Sequence, residues 1–236
     1  KHTLENVIMH EVGHNWFYGI LGSNERDHVW MDEGLNEMNN IRYWNKKYGE
    51  DGMRYVINEK TQRKLGPFSI GKNITYGFFE YMGYSSWVKT GDEEPLETSS
   101  NDFKRRSNYW MSYSKPLVYS WHLLHFLGEE TVNQIMHNYY EDWKFRHPYP
   151  ENYFSYFLKY SDKNLDWYTN DVFYETGIVD YSAVIKNNQV VFKNNGSLTL
   201  PFEAAFYNRE GQEISRQWFE NVESEKVYSL SENTKS

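Results

Sequence analysis

Two histidines and a glutamate near the start of the chain have the types and spacing of a metal site. They lie in His10-Glu11-Val12-Gly13-His14, where the histidines are four positions apart. On an α-helix such residues are about 40° apart around the axis and about 6 Å apart along it, so both imidazoles can reach one zinc ion. Glu11 is turned about 100° from His10 and can take a proton from a water at the open side of the metal. The alternative interpretation is two surface histidines beside a solvated glutamate.

A third candidate ligand is Glu33, which follows His14 after eighteen intervening residues. A catalytic zinc site uses three protein ligands and a water. Glu33 opens the second predicted helix, and an antiparallel pair of helices would bring its first turn beside the first helix. The alternative for Glu33 is an acid stabilised by the helix dipole. The spacing therefore predicts one zinc ion held by His10, His14 and Glu33.

The elements that must position these residues are predicted to be mainly helical. Apolar residues recur at helical spacing, and glycines mark several ends, which predicts helices over 1–22, 32–48, 50–66, 115–143 (with a break near Gly128) and 151–180 (with a break at 161–164). The intervening stretch 67–110 is rich in Gly, Pro and Ser and is predicted as loop with one short helix at 75–90.

The pattern of apolar and turn residues changes from about Val184. Short apolar runs alternate with turn residues at 194–196 (Asn-Asn-Gly) and 210–211 (Glu-Gly), a pattern typical of β-hairpins. The predicted domains are therefore 1–183, mainly α and carrying the zinc ligands, and 184–236, β-rich.

Composition excludes several classes of function. The 236 residues include no Cys, which removes disulfide scaffolds, Cys-ligated zinc, iron–sulfur clusters and thiol nucleophiles. The net charge of −8 gives no basic field for a polyanion, so nucleic acid is not predicted as a partner. No apolar run reaches the roughly 18 residues that a membrane span needs, so we expect membrane contact, if any, through regions outside this chain.

The segment 10–34 resembles the zinc signature of the aminopeptidase N family, the membrane alanyl aminopeptidases and their relatives among the gluzincin zinc metallopeptidases. Beyond the three ligands, the match includes Trp16, Gly19, Trp30 and Gly34. Asp32 stands where many relatives have Asn. The resemblance implies that 1–183 is the helical C-terminal part of a thermolysin-like catalytic domain and that a small or truncated β-sandwich-like domain follows. It also implies a Zn²⁺ cofactor and peptide substrates.

Residues 113–116, Tyr-Ser-Lys-Pro, resemble the family's Tyr-x-Lys-Gly/Ala segment, except that Pro116 replaces the small residue. In the family this tyrosine donates a hydrogen bond to the tetrahedral intermediate, and a phenol there stabilises charge that develops only in the transition state. The resemblance therefore implies a catalytic role for Tyr113. A looser match continues over 139–167, where His147 is expected to be structural.

Two further side chains are candidates for orienting the ligands. His28 could orient a ligand carboxylate, and Glu37, one turn after Glu33, could accept a ring N–H from a ligand histidine. The alternatives are a packing histidine and a solvated helix acid.

The implied mechanism is that of a zinc-dependent metallopeptidase, and of an aminopeptidase in particular. Zinc lowers the pKa of a water and polarises the scissile carbonyl, Glu11 takes the proton and returns it to the leaving amine, and Tyr113 stabilises the oxyanion. The alternatives are a zinc hydrolase of another substrate class and a non-catalytic relic used for binding.

The family also recognises the substrate N-terminus with a Gly-x-Met-Glu-Asn segment that precedes its HExxH motif, and this segment does not occur in the chain. We expect it, with the front of the catalytic domain, to lie before Lys1, which leaves open whether the fragment is active alone. Family members occur in several compartments, and the periplasm or cell surface is favoured over the cytoplasm.

Overall fold

The computed structural model describes residues 2–49 and 76–230. The helix predicted over 50–66 lies outside the described residues. The chain divides into two compact units, Lys1–Glu175 and Thr176–Ser236. The first unit is helical and the second is built from strands, which confirms the predicted order of a mainly α part followed by a small β domain.

The first unit positions the candidate site on a set of packed helices. In chain order over the described residues these are α1 (His2–Gly13), α2 (Val29–Tyr48), α3 (Tyr76–Thr90), α4 (Met111–Leu127), α5 (Glu129–Trp143) and α6 (Pro150–Tyr160). A 3₁₀ turn at Arg106–Trp110 leads directly into α4. A π-helical turn at Trp167–Asp171 precedes a single α-helical turn at Val172–Tyr174. Among the residues described, none of the helices combines the length and the apolarity that crossing a bilayer requires.

α2 lies at the centre of this unit. It is buried along most of its length, from Val29 to Trp44. One apolar cluster joins it to α4 and α5 and consists of Met38, Ile41, Trp44, Leu117, Leu124 and Val132. Because α2 is packed on several sides, its N-terminal part, which carries Glu33, is held in a fixed position.

α1 ends at Gly13, so the helix predicted over 1–22 is wrong beyond that residue. Tyr18 has φ 86°, in the left-handed region, and turns the chain back so that Leu21 is buried. The apolar residues that follow His14 keep helical spacing in the sequence, but they lie in this turn rather than along one helix face, and Trp16 and Tyr18 are 48% and 50% exposed.

The second unit contains two antiparallel sheets. Its strands are β1 (Tyr181–Lys186), β2 (Gln189–Asn194), β3 (Phe202–Tyr207), β4 (Glu213–Phe219) and β5 (Glu225–Ser229). The sheets have the orders β1-β2-β5 and β3-β4, and they share one apolar core of Val190, Phe192, Phe206, Phe219, Val222 and Leu230. Two sheets on one core fit the small sandwich-like domain that the family resemblance implies. The domain boundary predicted at 183/184 lies inside β1.

Two turns show how local sequence shapes this unit. Asn187 and Asn188 have φ 51° and 60°, and they join β1 to β2 in the two-residue turn that favours positive φ at both positions. The predicted turn at Glu210 and Gly211 joins β3 to β4, with φ 78° at the glycine.

Candidate metal centre

α1 and α2 bring the three predicted ligand side chains to one point. His10 Nε2 lies 3.0 Å from His14 Nε2 and 3.0 Å from Glu33 Oε2. His14 Nε2 lies 3.3 Å from the same carboxylate oxygen. The backbone N–H of His14 donates to His10 O, so His14 keeps helical register although α1 ends one residue earlier. Two imidazole nitrogens and one carboxylate oxygen are the donor set of a catalytic zinc site.

The second nitrogen of each imidazole faces a buried carboxylate of α2. His10 Nδ1 lies 2.8 Å from Glu37 Oε1, and His14 Nδ1 lies 2.6 Å from Asp32 Oδ1. Such partners fix the ring orientation and the tautomer that leaves Nε2 available to a metal. Glu37 therefore has the contact that the sequence suggested, whereas the contact of Asp32 with His14 was not predicted.

The cluster is strongly coupled electrostatically. Hydrogen bonds to the carboxylates of Asp32 and Glu33 raise the pKa of His14 to about 10. Burial lowers the pKa of His10, but Glu33 and Glu37 outweigh burial and raise it to about 9. Burial raises the pKa of Glu33, but the two histidines outweigh it and lower the value to about 2. A cation that binds both imidazoles must displace their protons, so its affinity depends on pH.

Gly13 allows α1 to approach α2 closely. A Cβ at this position would lie 1.8 Å from Asn36 Oδ1. The side-chain amide of Asn36 in turn donates to His10 O at 2.8 Å. The glycine inside the motif thus lets a buried amide hold the backbone of the first ligand, a role for Asn36 that the sequence analysis did not identify.

Gly34 allows α4 to approach α2 in a similar way. A Cβ at Gly34 would lie 2.5 Å from Cβ and Cγ of Pro116 and 2.8 Å from Ser112 O. Pro116 lies inside α4 and has no N–H to donate to Ser112 O. The close contact brings Tyr113 to the cluster, where its ring stacks on His10 with 5.8 Å between the centroids.

Two tyrosine hydroxyls lie at the Glu33 carboxylate. The Tyr109 hydroxyl donates to Glu33 Oε1 at 3.4 Å, and the Tyr113 hydroxyl interacts with the same carboxylate. Burial and the neighbouring Glu33 raise the pKa of both phenols, so both keep their protons at neutral pH and can donate a hydrogen bond. Tyr109 is a site residue that the sequence analysis missed, because nothing in its local sequence separates it from the other tyrosines.

The other residues singled out in the sequence are Glu11, His28 and His147. Glu11 lies next to His10 on α1 and is exposed, so its carboxylate is accessible to water. His28 pairs with Glu97, with 2.7 Å between Nδ1 and Oε2, rather than with Glu33. His147 Nδ1 lies 2.8 Å from Gly22 O, a contact consistent with its expected structural role.

Comparison with solved structures identifies a similar fold. The crystal structure of Legionella pneumophila aminopeptidase A in complex with aspartic acid matches 95% of this chain with a TM-score of 0.59 at 15% sequence identity. This chain spans 24% of the length of that protein. No family model and no curated protein matches the sequence. The fold of this chain is thus similar to that of part of an aminopeptidase.

Proposed function

We propose that this chain is the metal-binding part of a zinc-dependent metallopeptidase that acts as an aminopeptidase. The observation that carries the proposal is the convergence of His10 Nε2, His14 Nε2 and Glu33 Oε2 within 3.3 Å of one another, with each opposite Nδ1 facing a carboxylate. Two surface histidines that share no ligand are not expected to have both nitrogens of each ring held in this way.

The three side chains would hold the ion and leave a coordination position open for a water or a substrate oxygen. When bound, zinc would lower the pKa of that water and polarise the scissile carbonyl. Asp32 and Glu37 keep the imidazoles oriented, which supports both affinity and activity.

Glu11 and Tyr113 have the two remaining roles. Glu11 adjoins the first ligand and is exposed, so it can take a proton from the attacking water and deliver it to the leaving amine. Tyr113 stacks on His10 and keeps its phenolic proton, so it can donate a hydrogen bond to the oxyanion that develops on the substrate.

Peptides are the proposed substrates, and the free N-terminal residue is the proposed cleavage site. Two lines support this choice: the resemblance of 10–34 to the aminopeptidase N signature, and the likeness of the fold to part of an aminopeptidase.

The test compares the full-length protein with its Glu11→Gln variant. Zinc content is measured on both, together with hydrolysis of aminoacyl-arylamides and of blocked peptides. We expect about one zinc per chain in both proteins. We also expect an arylamide activity that falls by roughly 10²- to 10⁴-fold in the variant, because the general base is lost. Glu130→Gln, the same change at an exposed position of α5, is the matched control.

Three outcomes would contradict parts of the proposal. Parent-level activity in the Glu11→Gln variant would contradict the role of Glu11 as the general base. Absence of stoichiometric zinc would remove the metal site. Zinc binding with cleavage of blocked peptides but not of aminoacyl-arylamides would replace an aminopeptidase with another zinc hydrolase.

A further inference from the structure

A cleft beside the metal centre has no role in the mechanism described above. Its volume is about 690 Å³, and it lies between the loop that precedes α2 and the segment that leads into α4. The side chains that matter for its chemistry are Glu25, Arg26, Phe103, Arg106, Tyr109 and Trp110.

The cleft shares a wall with the catalytic residues. Tyr109 lines the cleft and donates to Glu33, one of the candidate ligands. Trp110 also lines it, and its ring centroid lies 5.1 Å from that of Tyr113. A substrate held at the metal would therefore have its neighbouring groups within reach of the cleft.

The cleft presents two arginines whose guanidinium groups are not tightly paired. Arg26 Nε lies 3.9 Å from Glu25 Oε1, at the outer limit of an ion pair, and both side chains are exposed. Arg106 makes no ion pair with any residue in the described ranges 2–49 and 76–230. Arg105, by contrast, lies 2.7 Å from Asp92 and is already engaged. The two arginines outnumber Glu25, the one carboxylate among the described residues of the lining, so in a chain with a net charge of −8 this cleft favours an anionic group on the substrate.

The backbone that carries Arg26 is fixed on both sides. Its N–H donates to Asn24 Oδ1 at 3.0 Å, and its carbonyl accepts the N–H of Ser100 at 2.7 Å. The second contact ties the loop before α2 to the opposite wall of the cleft. The 2.7 Å pair of His28 with Glu97 adds a further tie between the same two segments. The walls are thus held together without any ligand.

We propose that this cleft binds a carboxylate of the peptide substrate through Arg26 and Arg106. Guanidinium groups bind carboxylates with paired, charge-assisted hydrogen bonds, and the rings of Phe103 and Trp110 supply apolar walls for the adjoining part of the peptide. The carboxylate belongs either to the side chain of an acidic residue or to the C-terminus of a short peptide. The inference rests on the proposed peptidase function and adds a preference among its substrates.

The experiment uses substrate pairs that differ only in this group: Glu- and Gln-arylamides for a side-chain carboxylate, and Ala-Ala-Ala with a free or an amidated C-terminus. kcat and KM are measured for the full-length protein and for its Arg26→Gln and Arg106→Gln variants. Lys46→Gln removes the same charge at an exposed position of α2, 13 residues from Glu33 and so about 20 Å along the helix, and serves as the control.

We expect the parent protein to prefer the carboxylate-bearing member of one pair, and the pair that shows the preference identifies the source of the carboxylate. Each arginine variant should reduce the preference by roughly tenfold, mainly through KM, because one charged hydrogen-bonding group is lost. Lys46→Gln should keep the parent preference. No preference in the parent, or an unchanged preference in both arginine variants, would overturn the inference.

Binding measurements distinguish a failure of this inference from a failure of the proposed peptidase function. Both substrate pairs, the Glu- and Gln-arylamides and the free and amidated Ala-Ala-Ala, are titrated calorimetrically into the Glu11→Gln protein, with and without Arg26→Gln and Arg106→Gln. Selective binding of the carboxylate form that disappears with the arginines, in a protein whose parent hydrolyses no peptide, would keep the cleft assignment and reject the peptidase. Equal binding of acid and amide in both pairs would reject the cleft assignment, whatever the parent hydrolyses.

Discussion

The two helices that carry the candidate ligands are held in different ways. α2 is buried along most of its length, and Trp44 near its end is only 1% exposed. α1 leaves Leu4 and Val7 exposed by 68% and 48%. α2 supplies one ligand and both carboxylates that face the imidazoles, whereas α1 and the residue directly after it supply the two histidines.

Polar contacts with α2 position α1. Trp44 Nε1 donates to Asn6 Oδ1 at 2.7 Å, the Tyr43 hydroxyl donates to Glu5 at 2.9 Å, and Asn36 holds the carbonyl of His10. The apolar core fixes one helix, and this helix in turn orients the other through directed hydrogen bonds. The geometry of the site therefore depends on α2 more than on the helix that carries the HExxH motif.

The largest effect should come from truncating the buried end of α2. Trp44→Ala removes a large core side chain and the donor to Asn6, so we expect a loss of about 3–5 kcal/mol in the free energy of unfolding. Val7→Ala, on the exposed side of α1, should change it by less than about 0.5 kcal/mol. Urea unfolding followed by circular dichroism measures both. Losses of equal size would contradict the difference between the helices.

The next effect concerns the carboxylates through which α2 orients the imidazoles of α1. Glu37→Gln and Asp32→Asn keep the shape of each side chain but remove its charge beside His10 or His14. We expect zinc affinity to fall by roughly 10- to 100-fold in each variant. Competition with a chromogenic chelator measures the affinity, and Glu130→Gln provides the control. Unchanged affinity in both variants would mean that the imidazoles are oriented without α2.

The smallest effect concerns the start of α2, where His28 pairs with Glu97. Glu97 raises the pKa of His28, so the pair stabilises the fold fully below the unfolded-state pKa of about 6.5 and loses this contribution as the pH rises through the folded-state pKa. Glu97→Gln should therefore cost about 1 kcal/mol at pH 5.5 and less at pH 9. Unfolding at the two pH values measures the difference, and a cost that grows with pH would contradict the assignment.

The sequence predicted those parts of the site that depend on local periodicity. His10 and His14 share a helix face because they are one turn apart, and α2 was expected close to its observed position because its apolar residues repeat regularly. The family resemblance added Tyr113, which could not be chosen by type alone among 21 tyrosines.

Features that depend on contacts between distant segments could not be predicted. Asp32 stands where many relatives of the aminopeptidase N family have Asn, and nothing in the sequence showed that its carboxylate faces His14. The cleft escaped detection because Arg26 and Arg106 are 80 positions apart and meet only through the packing of loops. The end of α1 was misplaced because Tyr18 adopts a left-handed conformation that apolar spacing does not report.

The contact between Gly34 and Pro116 has a consequence for how this site can evolve. A side chain at position 34 would overlap the proline ring, with 2.5 Å between its Cβ and the nearest ring atoms. A larger residue at 34 thus requires a smaller residue at 116 together with a shift of the nearby Ser112 carbonyl. A residue larger than glycine can therefore appear at position 34 only together with a smaller residue at 116, and a sequence that has lost the glycine alone would have lost the register between the third ligand and Tyr113.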